Sequence, residues 1–370
     1  GCSFMSKGPV SMYALLLPFI VAFGIVYKYK NIRSRLIPLL LFLILSFIFS
    51  GWWFLYTYTY DPIAVAEITK REAANWTGYN VRPFYYYWSF FIQSGVWTIL
   101  AFIGLLYPYL KNRVSNKKAY RFTFLWTIIS VLFLSIIPEK KSRYLLPVLI
   151  PLALNTGFYI EYIILKFAEI KDKRETIPVY LNFGLIASIG LIFPIGGYLF
   201  LRESLEGKWI WFVLLSVVLC CIGFFMLRNL IRKKMKAVFY LTIGFIVAII
   251  WLGLPLADVF KDNASYSRLS EMKEWQQNEK VEVYEYTYFT PELIWDYGKP
   301  IEVLTQNNEL KIPSENRFAI LVGEEELPAF IKAFTAYKVE KIRRYDMNVR
   351  AEGHRAHRTR LFRDLFLITK

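Results

Sequence analysis

The chain has 370 residues, of which 56% are hydrophobic, 18% aromatic and only 20% charged, and its formal net charge is +16. A disordered chain cannot be this apolar, and a soluble domain of this size rarely is. The composition therefore excludes disorder and indicates a protein that lies largely in a membrane. Three cysteines, Cys2, Cys220 and Cys221, match no metal-ligand or disulfide spacing, so we interpret them as small packed residues rather than redox groups.

The basic excess lies entirely in the apolar part of the chain. Up to Ala257, 27 Lys and Arg residues stand against 10 acidic residues, whereas from Asp258 onward 18 stand against 19. A nucleic-acid-binding protein carries its positive charge on a soluble surface. Here the charge falls in short clusters between hydrophobic runs, which is how membrane proteins fix their orientation. Nucleic acid is therefore excluded as a partner.

Eight uncharged stretches are long enough to cross a hydrocarbon core of about 30 Å, which takes about 17–25 helical residues. They occupy residues 8–27, 36–60, 83–110, 122–138, 144–160, 176–201, 209–227 and 237–257. The sequence thus predicts a polytopic α-helical membrane protein, with a transmembrane domain of eight helices over residues 1–257.

Alternate connections between these stretches differ in charge, which predicts their orientation. Four of them hold 18 of the 27 basic residues and are expected to face the cytoplasm: 28–35, 111–121, 166–174 and 228–236. The segments then expected outside are 57–87, 138–143, 202–208 and everything after Ala257. Because the chain opens at Gly1 without an initiator Met or signal peptide, we expect a C-terminal part of a larger membrane protein.

Residues 258–370 have the composition of a soluble domain. The spacing of apolar positions predicts helices at 267–277, 291–297 and 324–337, and short β-rich runs predict strands at 281–289, 318–322, 339–345 and 361–368. A small extracytoplasmic α/β domain is therefore expected. His354 and His357 lie in an arginine-rich turn without an acidic ligand nearby, which favours a solvated hairpin loop over a metal site. No cofactor is predicted, and a divalent metal is left open.

The most unusual feature is a very short outer connection within Pro-Glu-Lys-Lys-Ser-Arg-Tyr-Leu-Leu-Pro, residues 138–147. It places Lys140, Lys141 and Arg143 at the membrane surface, against the positive-inside trend. Arginine offers phosphate a planar fork and lysine a mobile point charge. The pattern favours a site for an anionic head group. The alternative is a basic loop that only contacts lipid phosphates.

A second outer feature is Asn-Val-Arg-Pro-Phe-Tyr-Tyr-Tyr-Trp, residues 80–88. Interfacial Tyr and Trp residues usually form an aromatic belt, the interpretation we favour for Tyr87 and Trp88. Arg82 and the tyrosine hydroxyls are expected at the depth of the basic connection, where together they can line a cavity for a phosphate and a sugar. Lys7, at the outer mouth of the first span, is a further candidate, although a lone lysine more often snorkels.

No Walker or Rossmann glycine-rich loop occurs, so no nucleotide site is predicted. The apolar part of the chain also has no histidine. A general base on the outer face is therefore expected from the loop 57–87 or from protein upstream of Gly1.

Three outer motifs together resemble a known family. They are Ser-Lys-Gly-Pro-Val at 6–10, Arg-Pro-Phe-Tyr-Tyr-Tyr at 82–87 followed by Val-Trp-Thr at 96–98, and Lys-Lys-Ser-Arg-Tyr-Leu-Leu-Pro at 140–147. In this order they resemble the bacterial family 39 glycosyltransferases of the GT-C fold, relatives of the protein O-mannosyltransferases that include the lipid A aminoarabinose transferases. The resemblance covers the membrane half and implies five further helices upstream.

The resemblance implies inverting transfer of a sugar from a polyprenyl-phosphate donor to a lipid or protein acceptor on the periplasmic face, among membrane lipids. The residues then expected to bind the donor phosphate are Lys140, Lys141, Arg143, Tyr144 and Lys7. Those expected to line the donor and acceptor cavity are Arg82, Tyr85 and Tyr86. The family's catalytic Asp lies in the first periplasmic loop, which precedes Gly1, so we expect this chain to lack it and to have no transferase activity alone.

Two other functions fit the same residues. A transporter or flippase of polyprenyl-linked lipids needs the cationic head-group site but no base. Discontinuous helices in repeated halves would favour it, and the sequence shows no internal repeat. The third hypothesis is a non-catalytic membrane sensor that uses its outer domain for binding.

Overall fold

The computed structural model describes residues 12–29, 33–78, 80–202, 205–260, 263–306 and 309–370, together with Cys2, Met5 and Val10. The chain forms two compact units. The first comprises Gly1–Phe200 and Val213–Trp251, and the second comprises Leu201–Phe212 and Leu252–Lys370.

Long apolar helices dominate the first unit. In chain order the helices are α1 (Met12–Tyr27), α2 (Leu36–Tyr60), α3 (Pro62–Gly78), α4 (Thr98–Gly104), α5 (Tyr107–Leu110), α6 (Lys117–Ile136), α7 (Leu149–Lys166), α8 (Lys173–Leu201), α9 (Trp209–Ile231) and α10 (Met235–Gly253). Shorter 3₁₀ segments occur at Phe84–Tyr87, Phe90–Trp97 and Ser142–Val148.

Seven helical runs in the described ranges are long and apolar enough to span a membrane. They are Arg33–Tyr60, Phe84–Gly104, Lys117–Ile136, Ser142–Lys166, Lys173–Leu201, Trp209–Ile231 and Met235–Ala257. The prediction of a polytopic α-helical membrane protein is confirmed. The count differs from the eight predicted spans because α1 is shorter than each of these seven runs. Residues 8, 9 and 11 of the predicted first span lie outside the described residues.

The predicted span 83–110 is not one continuous helix. Two 3₁₀ segments precede α4, and Gly95, inside the second of them, has φ 60° and ψ −121°, a conformation that glycine adopts without a steric penalty. Tyr87 and Phe90 both point into the protein, whereas Tyr85 and Tyr86 are exposed.

One apolar cluster of the first unit packs the start of α1, α4, the end of α6 and the start of α7 together. Its buried members are Ala14, Tyr87, Phe90, Ala101, Val131, Leu134, Tyr144, Leu145, Val148 and Leu152.

The helices α8 and α9 approach closely elsewhere in this unit. A Cβ atom on Gly190 would lie 2.7 Å from the Leu219 carbonyl oxygen, and one on Gly223 would lie 2.6 Å from that of Ala187. Small residues permit such close backbone contact between membrane helices.

The second unit contains a mixed four-stranded sheet, so the predicted α/β domain is confirmed. Its strands are β1 (Val283–Glu285), β4 (Arg317–Val322), β5 (Lys338–Asp346) and β6 (Phe362–Thr369), in the order β1-β4-β6-β5. The β1–β4 pair is parallel, and β6 is antiparallel to both β4 and β5. A separate hairpin of β2 (Thr305–Gln306) and β3 (Glu309–Leu310) was not predicted.

Three helices accompany this sheet: α11 (Met272–Glu279), α12 (Pro291–Tyr297) and α13 (Leu327–Ala333). The helix over 291–297 was predicted with these bounds. The other two are shorter than predicted, as is β1. Both sheet faces are covered, since Phe318 and Ile320 belong to one apolar cluster and Ala319 and Leu321 to the other. Burial on both faces explains why β4 reads as an unbroken apolar run.

Candidate functional site

The basic connection begins where α6 ends. Ile137 precedes Pro138, which disfavours helical backbone, and Ile137 is extended with φ −74° and ψ 128°. Lys141 is also extended, and the chain becomes helical again at Ser142. The connection therefore crosses the end of the bundle as a short extended segment, with its backbone groups available to another segment.

That other segment is the aromatic loop. The backbone N–H of Lys140 donates to the carbonyl of Asn80 (3.1 Å), and the N–H of Arg82 donates to the carbonyl of Pro138 (3.3 Å). Val81 and Glu139 form an isolated antiparallel bridge between these two bonds. The structure thus joins the two outer features that the sequence analysis singled out, residues 80–88 and 138–147.

Tyr87 strengthens the junction through its hydroxyl. The hydroxyl accepts a hydrogen bond from the Lys141 backbone N–H (2.9 Å) and donates one to the Lys141 carbonyl (3.1 Å). The Tyr87 side chain is buried, and its ring lies 5.1 Å from that of Tyr86, edge to face. One residue of the aromatic loop therefore satisfies both backbone groups at the centre of the basic connection.

Lys141 carries an internal counter-charge. Its ammonium forms an ion pair with the buried carboxylate of Glu139, and the Tyr144 ring centroid lies 5.8 Å from the same nitrogen. Burial lowers the pKa of Lys141, but the hydrogen bond to Glu139 and the neighbouring charges outweigh burial and raise it. Lys141 therefore stays protonated and holds the connection together.

Lys140 is buried, with 3% of its surface exposed. Its ammonium donates to the Ile137 carbonyl at the end of α6, where the helix dipole favours a cation. Burial lowers the pKa of Lys140. Both lysines of the connection are thus engaged by groups of the protein itself.

Two arginines remain available at the junction. Arg143 is exposed, and within the described ranges its side chain makes no hydrogen bond or ion pair. Arg82 is likewise exposed, and only its backbone N–H is bonded to a described residue. Because an unpaired guanidinium offers two parallel donors to a phosphate, these two residues are the groups best suited to bind an anion here.

The other candidate residues differ in exposure. Tyr85 is 71% exposed and Tyr86 37% exposed, so both hydroxyls can reach a ligand, whereas Tyr144 is packed in the apolar cluster. Lys7 lies outside the described residues.

The sequence analysis missed two residues at the junction. Glu139 was missed because acids were sought only in the loop 57–87 and upstream, and Tyr87 was assigned to an aromatic belt. The position of Glu139 inside the basic motif was the signal that could have identified it.

The two histidines lie in the second unit. The His357 Nε2 atom is 3.4 Å from the Asp346 Oδ2 atom, and His354 accepts a hydrogen bond from the Ala356 N–H (3.1 Å). In the ranges that the structure describes, His, Cys, Asp and Glu residues form no group of three or more suited to a metal ion.

Comparison with known proteins supports the resemblance that the motifs indicated. No protein-family model matches the chain. The chain is 29% identical over 163 residues to undecaprenyl phosphate-alpha-4-amino-4-deoxy-L-arabinose arabinosyl transferase 1 of Pseudomonas fluorescens, covering 42% of this chain and 28% of that protein. The similarly named transferase of Pectobacterium carotovorum is 26% identical over 283 residues, covering 71% of this chain and 47% of the relative.

Solved structures show the fold. The crystal structure of ArnT from Cupriavidus metallidurans bound to undecaprenyl phosphate superposes with a TM-score of 0.55 and 13% sequence identity. The match covers 95% of this chain and 64% of the ArnT chain. The apo structure gives a TM-score of 0.50 with 14% identity, over 94% of this chain and 63% of its own. The chain thus has the GT-C membrane fold and resembles the aminoarabinose transferases, as the motifs indicated. It spans less than half the length of the curated relatives it matches.

Proposed function

We propose that this chain is the donor-binding part of a membrane glycosyltransferase. In this proposal the enzyme transfers a sugar from a polyprenyl-phosphate donor to an acceptor lipid, and the junction of residues 80–88 with 138–147 binds the donor phosphate. The observation that carries the proposal is the pair of exposed arginines, Arg82 and Arg143, on two segments joined by backbone hydrogen bonds. The sequence relatives are named as transferases that use an undecaprenyl-phosphate sugar, which favours transfer over the transporter and sensor hypotheses.

The chemistry assigns the junction a role in leaving-group stabilisation. When the bond between the anomeric carbon and the phosphate oxygen breaks, negative charge grows on the phosphate. Fixed cations at that position stabilise the transition state more than the ground state, which is the requirement for catalysis. Arg143 and Arg82 supply the contacts, while Lys140, Lys141 and Tyr144 hold the segment that carries Arg143. Tyr85 and Tyr86 lie on the same loop as Arg82 and can contact the sugar through their hydroxyls.

The catalytic carboxylate is proposed to lie in protein upstream of this chain, as the family resemblance implies. Glu139 is not assigned that role, because its carboxylate is already paired with Lys141. The proposed acceptor is a lipid, and a protein acceptor is the alternative.

The proposed setting is the bacterial inner membrane, with residues 1–257 in the membrane and residues 258–370 forming a periplasmic domain. The asymmetric distribution of Lys and Arg among the connections supports this orientation. Ser314 is exposed in the second unit. Labelling of Ser314→Cys with an impermeant thiol reagent in intact spheroplasts checks the orientation, after the three native cysteines have been replaced. Protection of this position until lysis would overturn it.

A binding measurement tests the function. The chain is placed in lipid nanodiscs, and its affinity for undecaprenyl phosphate is measured by native mass spectrometry against phosphatidylglycerol at the same concentration. We expect preferential retention of undecaprenyl phosphate, reduced by loss of the Arg143 side chain. Equal retention of the two lipids by the wild-type protein would mean that the junction is only a lipid-contacting surface. Sugar transfer is then measured in the full-length protein, with the polyprenyl-phosphate sugar as donor.

A further inference from the structure

One connection in the sheet of the second unit joins β5 to β6. It contains an arginine loop, residues 350–360, with Arg350, Arg355, Arg358 and Arg360 and only one acidic residue, Glu352. With neutral histidines this segment carries a net charge of +3. The other residues of 258–370 include 14 Lys and Arg against 18 Asp and Glu, so this loop is a local basic excess in an otherwise acidic region.

Most arginines of this unit are paired with carboxylates. In the described ranges, six of the nine arginines after residue 257 form ion pairs: Arg268–Asp296, Arg317–Glu279, Arg343–Glu271, Arg344–Asp364, Arg360–Glu292 and Arg363–Glu285. Arg355 and Arg358 differ from these. Both are exposed, and among the described residues neither side chain forms a hydrogen bond or an ion pair. Two available guanidinium groups thus lie three residues apart in one loop.

Buried polar groups hold this loop in place. The Asn348 side chain accepts from the Arg358 backbone N–H (2.7 Å) and donates to the Arg358 carbonyl (3.0 Å). The Asp346 carboxylate in turn accepts from the Asn348 N–H (2.9 Å), the Asn348 side-chain amide (2.8 Å) and the Asn263 side-chain amide (2.8 Å). Asp346 and Asn348 are both buried. Such a satisfied network fixes the backbone that carries Arg358.

The turn before Arg358 is also ordered by local bonds. The His357 N–H donates to the His354 carbonyl (2.8 Å), and the His354 ring accepts from the Ala356 N–H (3.1 Å). Gly353 has φ 88°, which suits glycine at this turn. A loop that offers the side chains of Arg355 and Arg358 while its backbone is held loses little conformational entropy when it binds a ligand.

We propose that the arginine loop binds the phosphates of anionic lipid head groups. Arginine is the side chain best matched to phosphate geometry, and clusters of basic residues close to a membrane bind anionic lipids. The second unit continues directly from the run Met235–Ala257, which is long and apolar enough to span a membrane, so lipid phosphates are the phosphates at highest local concentration. This inference does not depend on the proposed transferase function.

Hydrogen–deuterium exchange of the whole chain in nanodiscs tests the proposal. Exchange of the backbone amides in residues 350–360 is compared between discs of phosphatidylcholine alone and discs that contain phosphatidylglycerol as well. A basic residue near an anionic surface is worth about fivefold in the binding equilibrium. We therefore expect the loop amides to exchange at least about fivefold more slowly in the anionic discs, and high salt to remove the difference.

Two double variants decide whether the arginines are responsible. Arg355→Gln with Arg358→Gln should abolish the difference between the two kinds of disc. The control, Lys299→Gln with Lys311→Gln, removes the same amount of charge from two exposed positions elsewhere in the unit. This control should retain the difference between the two kinds of disc. Each variant is compared with itself, so altered intrinsic exchange cancels. Equal exchange of the wild-type loop in both discs overturns the proposal, as does equal loss of the difference in both double variants. Full protection by inorganic phosphate in phosphatidylcholine discs also overturns it, because the loop is then a site for soluble anions.

Discussion

The hydroxyl of Tyr87 binds both backbone groups of Lys141, a residue 54 positions away in the sequence. This relationship joins the aromatic loop to the basic connection. Together with the bonds from Lys140 to Asn80 and from Arg82 to Pro138, it makes the two segments one structural element. The placement of Arg143 relative to Arg82 depends on it, because neither arginine side chain is held by a partner in the described residues.

Removal of the Tyr87 hydroxyl should loosen this element without emptying the apolar cluster. Tyr87→Phe keeps the ring but leaves the Lys141 N–H without its partner, whereas the Lys141 carbonyl still accepts from the Tyr144 N–H (2.9 Å). An unsatisfied buried group costs about 1–3 kcal/mol. We expect faster amide exchange in residues 138–144 and weaker binding of undecaprenyl phosphate. Tyr85→Phe, at an exposed position of the same loop, is the matched control and should leave exchange in 138–144 unchanged; an equal effect of both variants would contradict the role given to Tyr87.

Truncation of Arg143 should weaken donor binding strongly. A charged hydrogen bond to phosphate is worth about 1.5–3 kcal/mol, which corresponds to about 10- to 150-fold in affinity. Arg143→Lys should recover only part of the loss, because lysine keeps the charge but lacks the planar fork. Lys140→Ala should also weaken binding, through the connection that it holds. The affinity of each variant for undecaprenyl phosphate is compared with that of Lys208→Ala, in another loop predicted to lie outside; cluster variants that behave like this control would refute the donor site.

The contact between α8 and α9 should not tolerate a side chain at Gly190. An added Cβ there would lie 2.7 Å from the backbone oxygen of Leu219, so the helices must separate. Overpacking of this kind costs about 1–3 kcal/mol. We expect Gly190→Ala to lower the melting temperature of the purified protein in detergent. At Gly184, in the same helix, an added Cβ has no neighbour within 4 Å. Gly184→Ala should therefore leave the melting temperature unchanged or raise it, since alanine favours helix.

The pair Glu285 and Arg363 should make the stability of the second unit pH-dependent. The Arg363 Nε atom donates to Glu285 (2.8 Å), and both side chains are buried. Burial of the carboxyl outweighs Arg363 and raises the pKa of Glu285 to about 8. Between its ordinary pKa and about 8, the folded unit then holds a proton that the unfolded chain does not. The stability that comes from Glu285 should thus be complete below its ordinary pKa and be lost as the pH rises through about 8.

Amide exchange of β1 and β6 at several pH values checks this prediction. The ratio of protection factors between wild type and Glu285→Gln cancels the intrinsic pH dependence of exchange. We expect this ratio to fall as the pH rises toward about 8. The free-energy difference that the ratio represents should fall by at most about 1.4 kcal/mol per pH unit. Glu292→Gln, which removes an exposed partner of Arg360, is the control. A ratio that stays constant for Glu285→Gln would show that its carboxyl has an ordinary pKa in the folded unit.

Much of the architecture follows from local patterns in the sequence. Uncharged runs of about twenty residues predict membrane helices, because the hydrocarbon core requires that length and excludes charge. Apolar β-rich runs predicted β4 and β6, and Thr290 with Pro291 marks the start of α12, where the Thr290 side chain caps the Leu293 N–H (3.4 Å). The basic and aromatic motifs also identified the two segments, 80–88 and 138–147, that the structure brings together. All of these signals lie within one segment, so no knowledge of distant neighbours is needed.

The tertiary structure alone decided which residues of these motifs are available to a ligand. Tyr85, Tyr86 and Tyr87 are chemically identical in the sequence, and only the contacts of the folded chain bury Tyr87 and bond its hydroxyl to Lys141. The three cations of residues 140–143 likewise look equivalent in the sequence, whereas the fold pairs Lys140 with a helix carbonyl and Lys141 with Glu139 and leaves Arg143 exposed. Burial and pairing depend on contacts between segments that are distant along the chain, and the linear spacing of residues does not encode those distances.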